Sequence, residues 1–233
     1  MARFALAALV LIPLAMSSCG NKRGHNLDMS VCANNIKQIG MVLREYVNQG
    51  GAYPPLCPQS GVLMFSPQAM PQKDKLGPLL TCPTIRNAKG PTTGPASPFD
   101  DQSYFYLGYA VLDDDDVEAF AQAYRKQIAG GGTFDADLVA ESSQGKHVFH
   151  RLAEGVENVV RTEGAIPANE VPAVVVNKIP VLIERDLGHI DADSDGRPGG
   201  AWVLFLSGEA RFVERGQWPI TEKTQRILAE LAK

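Results

Sequence analysis

Residues 31–49, VCANNIKQIGMVLREYVNQ, decide the fold of this chain. Their apolar side chains recur every three or four positions, along one helical face: Cys32, Ile36, Ile39, Leu43 and Tyr46. This spacing predicts an amphipathic helix. Ser30 is a suitable N-cap for it, and Gly50-Gly51 favours a left-handed C-cap at the other end. We therefore expect a helix of about five turns with one face on a core.

The carboxyl third predicts an antiparallel sheet for that helix to cover. Three runs have strand character: 179–184 (IPVLIE), 201–206 (AWVLFL) and 209–214 (EARFVE). The dipeptide Ser207-Gly208 predicts a tight hairpin between the last two. Thr221 is the expected N-cap of a final helix that ends near Ala232. Strands covered by helices indicate an α+β domain.

The middle of the chain carries weaker signals. Proline-rich residues 54–100 predict irregular structure, and the aromatic run 103–112 predicts a strand. Asp113 to Asp116 place negative charge at the start of a helix, where the helix dipole favours it. A loop is expected from Gly130 to about Gly145, and residues 151–161 predict a short helix with Leu152, Val156 and Val159 inward.

Composition excludes several classes of protein. The 233 residues are 45% hydrophobic and 21% charged, which excludes a disordered tail and a multi-span membrane protein. The net charge of -4 offers no basic field, so nucleic acid is not an expected partner. Neither a Gly-x-Ser-x-Gly elbow nor a phosphate-binding loop occurs, and we expect no enzymatic activity and no catalytic residues.

The first residues predict export. A short positive start at Arg3 precedes the apolar run 4–16, too short to span a bilayer and typical of a signal peptide, residues 1–18. The following Leu14-Ala15-Met16-Ser17-Ser18-Cys19 resembles the lipobox of bacterial lipoproteins. The resemblance implies acylation of Cys19 and membrane anchoring in the periplasm or on the cell surface. The alternative is plain secretion with cleavage near Ser18. Residues 19–29 would form a lipidated tether.

Export also places Cys32, Cys57 and Cys82 where disulfide bonds form. Cys57 and Cys82 each precede a proline, so both are expected in extended or turn segments that can face each other. We favour the pair Cys57 and Cys82. The alternative pairs Cys32 with Cys82.

Several segments resemble the large planctomycete-type pseudopilin family, which has a prepilin helix and a carboxyl-terminal His-x9-Asp-Gly motif. The matching residues lie throughout the mature chain: 32–55, 80–83, 104–109, 151–160, 179–185, 198–212 and 218–221. The resemblance implies a type IV pilin-like domain over residues 30–233. In that fold a long N-terminal helix packs on a small antiparallel sheet, here with helical and loop insertions, and there is no catalysis.

Two departures from the family matter for function. The apolar stalk through which pilins stack is replaced by the signal peptide and Cys19. In the tail motif Arg197 stands in place of the His and Ser207 in place of the Asp, while Gly208 is kept. We interpret the chain as a pilin-like head on a lipid anchor, a structural or interaction module for protein partners of the envelope or secretion apparatus.

Asp191, Asp193 and Asp195 form a candidate calcium site. With Gly196 they occupy positions one, three, five and six of a calcium loop, but position twelve is Trp202, which excludes an EF-hand. Major pseudopilins of type II secretion, which this region resembles, hold calcium nearby. The alternative function is therefore a calcium-dependent surface binding module; a solvated acidic turn explains the same residues without an ion.

Overall fold

The computed structural model describes residues 20–71, 73–82, 103–142, 145–162, 169–185 and 199–233, with side chains of the first helix described from Ser30 onward. Helix and sheet are mixed, with an amino-terminal helix and small antiparallel sheets. The helices are α1 (Gly20–Gly50), α2 (Lys73–Leu76), α3 (Asp114–Ala129), α4 (Val156–Thr162), α5 (Pro172–Val175) and α6 (Glu222–Leu231), and 3₁₀ turns lie at Pro67–Ala69 and Gly77–Leu79. The strands are β1 (Tyr104–Tyr106), β2 (Leu138–Ser142), β3 (Gly145–Phe149), β4 (Pro180–Glu184), β5 (Gly200–Phe205) and β6 (Ala210–Glu214).

Helix α1 confirms the apolar face read from the sequence. Cys32, Ile36, Ile39 and Leu43 are buried in the core. The helix begins at Gly20 rather than at Val31, so residues 20–29, predicted as a tether, continue the helix. They contain no proline, and extending a formed helix costs far less than nucleating one. Among the described residues, no helix is both long and apolar enough to cross a membrane.

Helix α1 lies lengthwise along β5. A side chain at Gly40 would place its Cβ 2.8 Å from Leu204 Cδ1, so this glycine lets the two backbones approach closely. One turn further on, Arg44 Nη2 donates to the carbonyl of Ser207 at 3.1 Å. Near the other end of the contact Trp202 packs against the cluster that Cys32 forms with Cys82. Helix and strand therefore run in the same direction.

The main sheet has the strand order β1-β4-β5-β6, and all its pairings are antiparallel. Every residue of β4 is buried, which fits its central position between β1 and β5. Ser207-Gly208 joins β5 to β6, with Gly208 at a φ of +86°. The three predicted strands of the carboxyl third are confirmed to within one residue at each end.

The middle of the chain departs from the predictions. The strand expected over 103–112 is limited to Tyr104–Tyr106, because Gly108 adopts a φ of +69° and turns the chain. The loop expected up to Gly145 contains β2, which pairs with β3 as a separate hairpin. In the predicted helix 151–161, α4 begins only at Val156, and Val160 is buried while Val159 is 40% exposed.

The acidic run before α3 starts the helix as predicted. Asp113 is the N-cap, and its Oδ1 accepts hydrogen bonds from the backbone N–H groups of Asp115 and Asp116, both at 2.9 Å. Thr221 caps α6 in the same way, accepting from the Thr224 N–H at 3.1 Å. The two helices pack against each other, and Thr221 Oγ1 donates a hydrogen bond to Asp114 Oδ1, so these two N-termini lie side by side.

Candidate functional site

The described residues bring two cysteines and a glutamate together between α1 and the main sheet. Cys32 lies on α1, Cys82 follows the 3₁₀ turn Gly77–Leu79, and Glu184 ends β4. Their sulfur and carboxylate oxygen atoms all lie within 4.8 Å of one another. Exposed fractions are 2% for Cys32 and 0% for both Cys82 and Glu184. We refer to these three residues as the thiol–carboxylate cluster.

The backbone around the two cysteines is fixed by hydrogen bonds. The N–H of Cys82 donates to Ser103 Oγ, in front of β1, at 3.1 Å. Asn35, one turn after Cys32 on α1, donates from Nδ2 to the carbonyl of Thr81 at 3.4 Å. Helix α1 is thereby tied to the segment that carries Cys82.

Glu184 is the acceptor at the centre of the cluster. Its Oε1 accepts a hydrogen bond from the Cys82 thiol at 3.2 Å, and its Oε2 accepts one from the backbone N–H of Trp202 on β5 at 3.0 Å. Transfer of a carboxyl group from water into a core is costly unless such hydrogen bonds replace hydration. Trp202, which is half-buried, packs against the pair of cysteines.

Two groups at the cluster, the Cys32 thiol and the Tyr104 hydroxyl, hold their protons more tightly than usual. The hydrogen bond between the Cys32 and Cys82 side chains raises the pKa of the Cys32 thiol far above its usual range, and burial and the charge of Glu184 raise it further. Burial is also the main cause that raises the pKa of Tyr104, the neighbour of Glu184 across the β1–β4 pairing. A neutral, covered thiol is a poor nucleophile. Cross-linking, metal coordination and attack on a substrate would each require a thiol of the cluster to lose its proton first.

A metal ion would find three ligands here. Among the described histidine, cysteine and acidic residues, Cys32, Cys82 and Glu184 form the one group close enough to share an ion. Structural zinc sites almost always have four protein ligands, and catalytic sites have three with an open position for water. The cluster supplies three ligands without access to solvent.

Cys57 lies apart from the cluster. It is half-buried, and its N–H donates to the carbonyl of Met64 at 2.8 Å in a loop that folds back on itself. The sequence favoured pairing Cys57 with Cys82. The structure brings Cys82 next to Cys32, the alternative partner, and carries all three residues as thiols.

The other predicted sites fall largely outside the described residues. Cys19, the predicted lipidation site, precedes them. Asp191, Asp193 and Asp195, the predicted calcium ligands, lie in the connection from β4 to β5, also outside them. Ser207, where the resembling family has Asp, is described: its hydroxyl accepts from the Glu209 N–H at 3.2 Å, and its carbonyl accepts from Arg44.

Glu184 is the member of the cluster that sequence reasoning missed. In IPVLIE it follows four apolar residues, and an acid in that place is typical of a strand end that reaches solvent. The signal that could have found it is its position within a central strand, because both faces of such a strand are covered. That position becomes visible only after the strand order is known.

Comparison of the chain with known protein families, with curated proteins and with solved structures finds no match.

Proposed function

We propose that this chain is a non-enzymatic, lipid-anchored envelope protein whose residues 30–233 form a pilin-like head. The head acts as a structural or interaction module for protein partners of the envelope or secretion apparatus. The observation that carries the proposal is the packing of α1 lengthwise along β5 of a small antiparallel sheet. This is the arrangement that the resemblance to pseudopilins implies for the head.

The amino-terminal part of α1 supports a lipid anchor in place of a stalk. Residues 20–31, GNKRGHNLDMSV, continue the helix with Lys22, Arg23 and Asp28 among them, and they lack the apolar surface through which pilin helices stack. At 1.5 Å per residue these twelve positions span about 18 Å. An acylated Cys19 would hold the head at roughly that distance from the bilayer surface.

The thiol–carboxylate cluster supports a structural role for the head. It joins α1, the segment after the 3₁₀ turn Gly77–Leu79 and β4, which come from three distant parts of the sequence. All three residues are buried, so they contribute to the contact between helix and sheet.

Metabolic labelling tests the anchor. The full chain with a carboxyl-terminal tag is expressed in a bacterium that makes lipoproteins and is supplied with an alkyne-bearing fatty acid. We expect a labelled protein in the membrane fraction, and the matched Cys19→Ser variant should be unlabelled. An unlabelled mature protein in the soluble fraction would refute the anchor.

Electron microscopy of the purified, membrane-extracted protein tests the absence of a stalk. The proposal predicts single heads or small detergent-bound particles at concentrations at which pilins form fibres. Regular fibres built from this protein would contradict it.

Calcium separates this proposal from the alternative, a calcium-dependent binding module. If calcium is part of the function, millimolar calcium should raise the melting temperature of the full chain. The variant with Asp191, Asp193 and Asp195 all changed to Asn should not respond. The structural proposal requires no such shift, and a shift confined to the wild-type chain would favour the alternative.

A further inference from the structure

The geometry points to a disulfide bond between Cys32 and Cys82 that fastens α1 to the segment in front of the main sheet. The two sulfur atoms lie within 4.8 Å of each other, and both residues are buried and in contact with Trp202. The proposal concerns the folded head alone. It goes beyond the proposed function, which requires an anchored head but no cross-link.

Closure of the bond must bring two sulfur atoms that lie within 4.8 Å of each other to bonding distance. A disulfide has a sulfur–sulfur distance of about 2.0 Å, which rotation of the two side chains can reach when the backbones are already close. Here the backbones are held by two hydrogen bonds, one from the Asn35 side chain to the Thr81 carbonyl and one from the Cys82 N–H to Ser103 Oγ. Cys57 is not part of this arrangement, because its own loop fixes it elsewhere.

A disulfide fits the cluster better than a metal ion does. Two thiolates and one carboxylate around a divalent cation would leave a net negative charge in a site without solvent, which is costly. A fourth ligand is also missing from the described group of ligating residues. A disulfide is neutral, needs no further ligand and leaves Glu184 with its hydrogen bond from the backbone N–H of Trp202.

The bond would form by exchange with a disulfide oxidant of the glutathione class. The thiolate of one cysteine attacks the oxidant and releases one reduced thiol. The thiolate of the second cysteine then attacks the mixed disulfide and releases the other, and each released thiolate takes one of the two protons. Because the folded cluster is covered, we expect exchange to take place during folding and the finished bond to resist reductants in the native state.

Peptide mapping of the full chain tests the proposal. The protein is purified from membranes without reductant, its thiols are blocked with N-ethylmaleimide under denaturing conditions, and it is digested with trypsin. Cleavage after lysine and arginine separates the three cysteines into peptides 24–37, 45–73 and 76–86. We expect peptides 24–37 and 76–86 to be linked, and Cys57 to carry the blocking group.

Matched variants and a refolding experiment sharpen this test. Cys57→Ser should leave the linked pair intact, whereas Cys32→Ser should leave Cys82 open to the blocking reagent. Wild-type chain that is reduced, denatured and refolded in a glutathione redox buffer should regain the same link.

Three results would overturn the proposal. The first is that Cys32 and Cys82 both carry the N-ethylmaleimide group in the membrane-purified chain. The second is a linked peptide that contains Cys57. The third is one zinc ion per chain by elemental mass spectrometry, with both thiols protected until a chelator is added. An unacylated Cys19 in the same digest would count against the lipid anchor alone, so the two proposals fail separately.

Discussion

Two contacts between elements of this protein are held by polar groups in opposite settings. At the thiol–carboxylate cluster, α1 meets the sheet through Cys32, Cys82 and Glu184, all removed from solvent. At the junction of α3 and α6, Asp113 and Thr221 cap neighbouring helices near the surface. At this junction Lys223 Nζ also contacts Asp115 at 2.8 Å.

The difference shows how the same polar chemistry has different consequences. At the helix junction, water replaces most of what a lost hydrogen bond provided, so each contact contributes little. In the buried cluster no water can do so, and removal of one partner leaves another polar group unsatisfied. We therefore expect changes in the cluster to lower the free energy of unfolding of the head more than changes at the helix junction do.

Reduction of the Cys32–Cys82 bond should have the largest effect. The bond would close a loop of about 50 residues, for which the chain-entropy model gives about 4 kcal/mol of stabilisation. Urea unfolding is measured for chain that has first been reduced under denaturing conditions and for chain that has not. The difference in the free energy of unfolding gives the contribution of the bond. Cys57→Ser should lose the same amount on reduction, and an unchanged wild-type midpoint would contradict the prediction.

Glu184→Ala should have the next largest effect. It removes the acceptor for the backbone N–H of Trp202 inside the core, and a buried unsatisfied group costs about 1–3 kcal/mol. Glu184→Gln is the matched control, because its amide oxygen can still accept from Trp202. The free energy of unfolding of both variants gives the comparison, and equal losses would show that this hydrogen bond is unimportant.

Removal of a helix cap at the junction should cost less. Asp113→Ala leaves the N–H groups of Asp115 and Asp116 to water, with an expected loss of about 1 kcal/mol. Lys223→Ala, which removes only an exposed ion pair, should leave the unfolding midpoint unchanged within error. If Asp113→Ala cost more than Glu184→Ala, the contrast between the two regions would be wrong.

Asp116 should show the smallest effect, as a change of stability with pH. Burial raises its pKa above the ordinary value of 3.8, outweighing the lowering by the Leu112 N–H. The folded protein therefore binds this proton more tightly than the unfolded chain. The resulting stabilisation is present below pH 3.8 and is lost as the pH rises through the raised pKa.

Asp116→Asn cannot titrate and supplies the reference for this measurement. The stability of the wild-type chain minus that of the variant should fall as the pH is raised from acid toward neutral. A difference that rises with pH would mean that the pKa of Asp116 is lowered.

The same contrast explains what could be predicted from the sequence. The helix start at Asp113 to Asp116 and the cap at Thr221 depend on residues within one turn, so the local pattern predicts them, as it predicts the apolar face of α1. The hairpin of β2 and β3 was missed because the alternation of buried Leu138 and Ala140 with exposed Val139 is too short to stand out.

The cluster depends on contacts that no local pattern contains. Cys82 and Glu184 are 102 positions apart, and their contact follows from the place of β4 inside the sheet. The prolines after Cys57 and Cys82 predict extended or turn backbone at each cysteine, but they do not predict which residue each cysteine contacts. Thus the sequence supports the pairing of helix and sheet, while the choice of cysteine partner requires the fold.

The intact mass of the protein extracted from native membranes tests the central account most directly. The account predicts a chain that begins at Cys19, carries acyl groups there, and gains two hydrogens when it is reduced under denaturing conditions. A mature chain without acyl groups would contradict the anchored head, and a mass unchanged by reduction would contradict the cross-link within it.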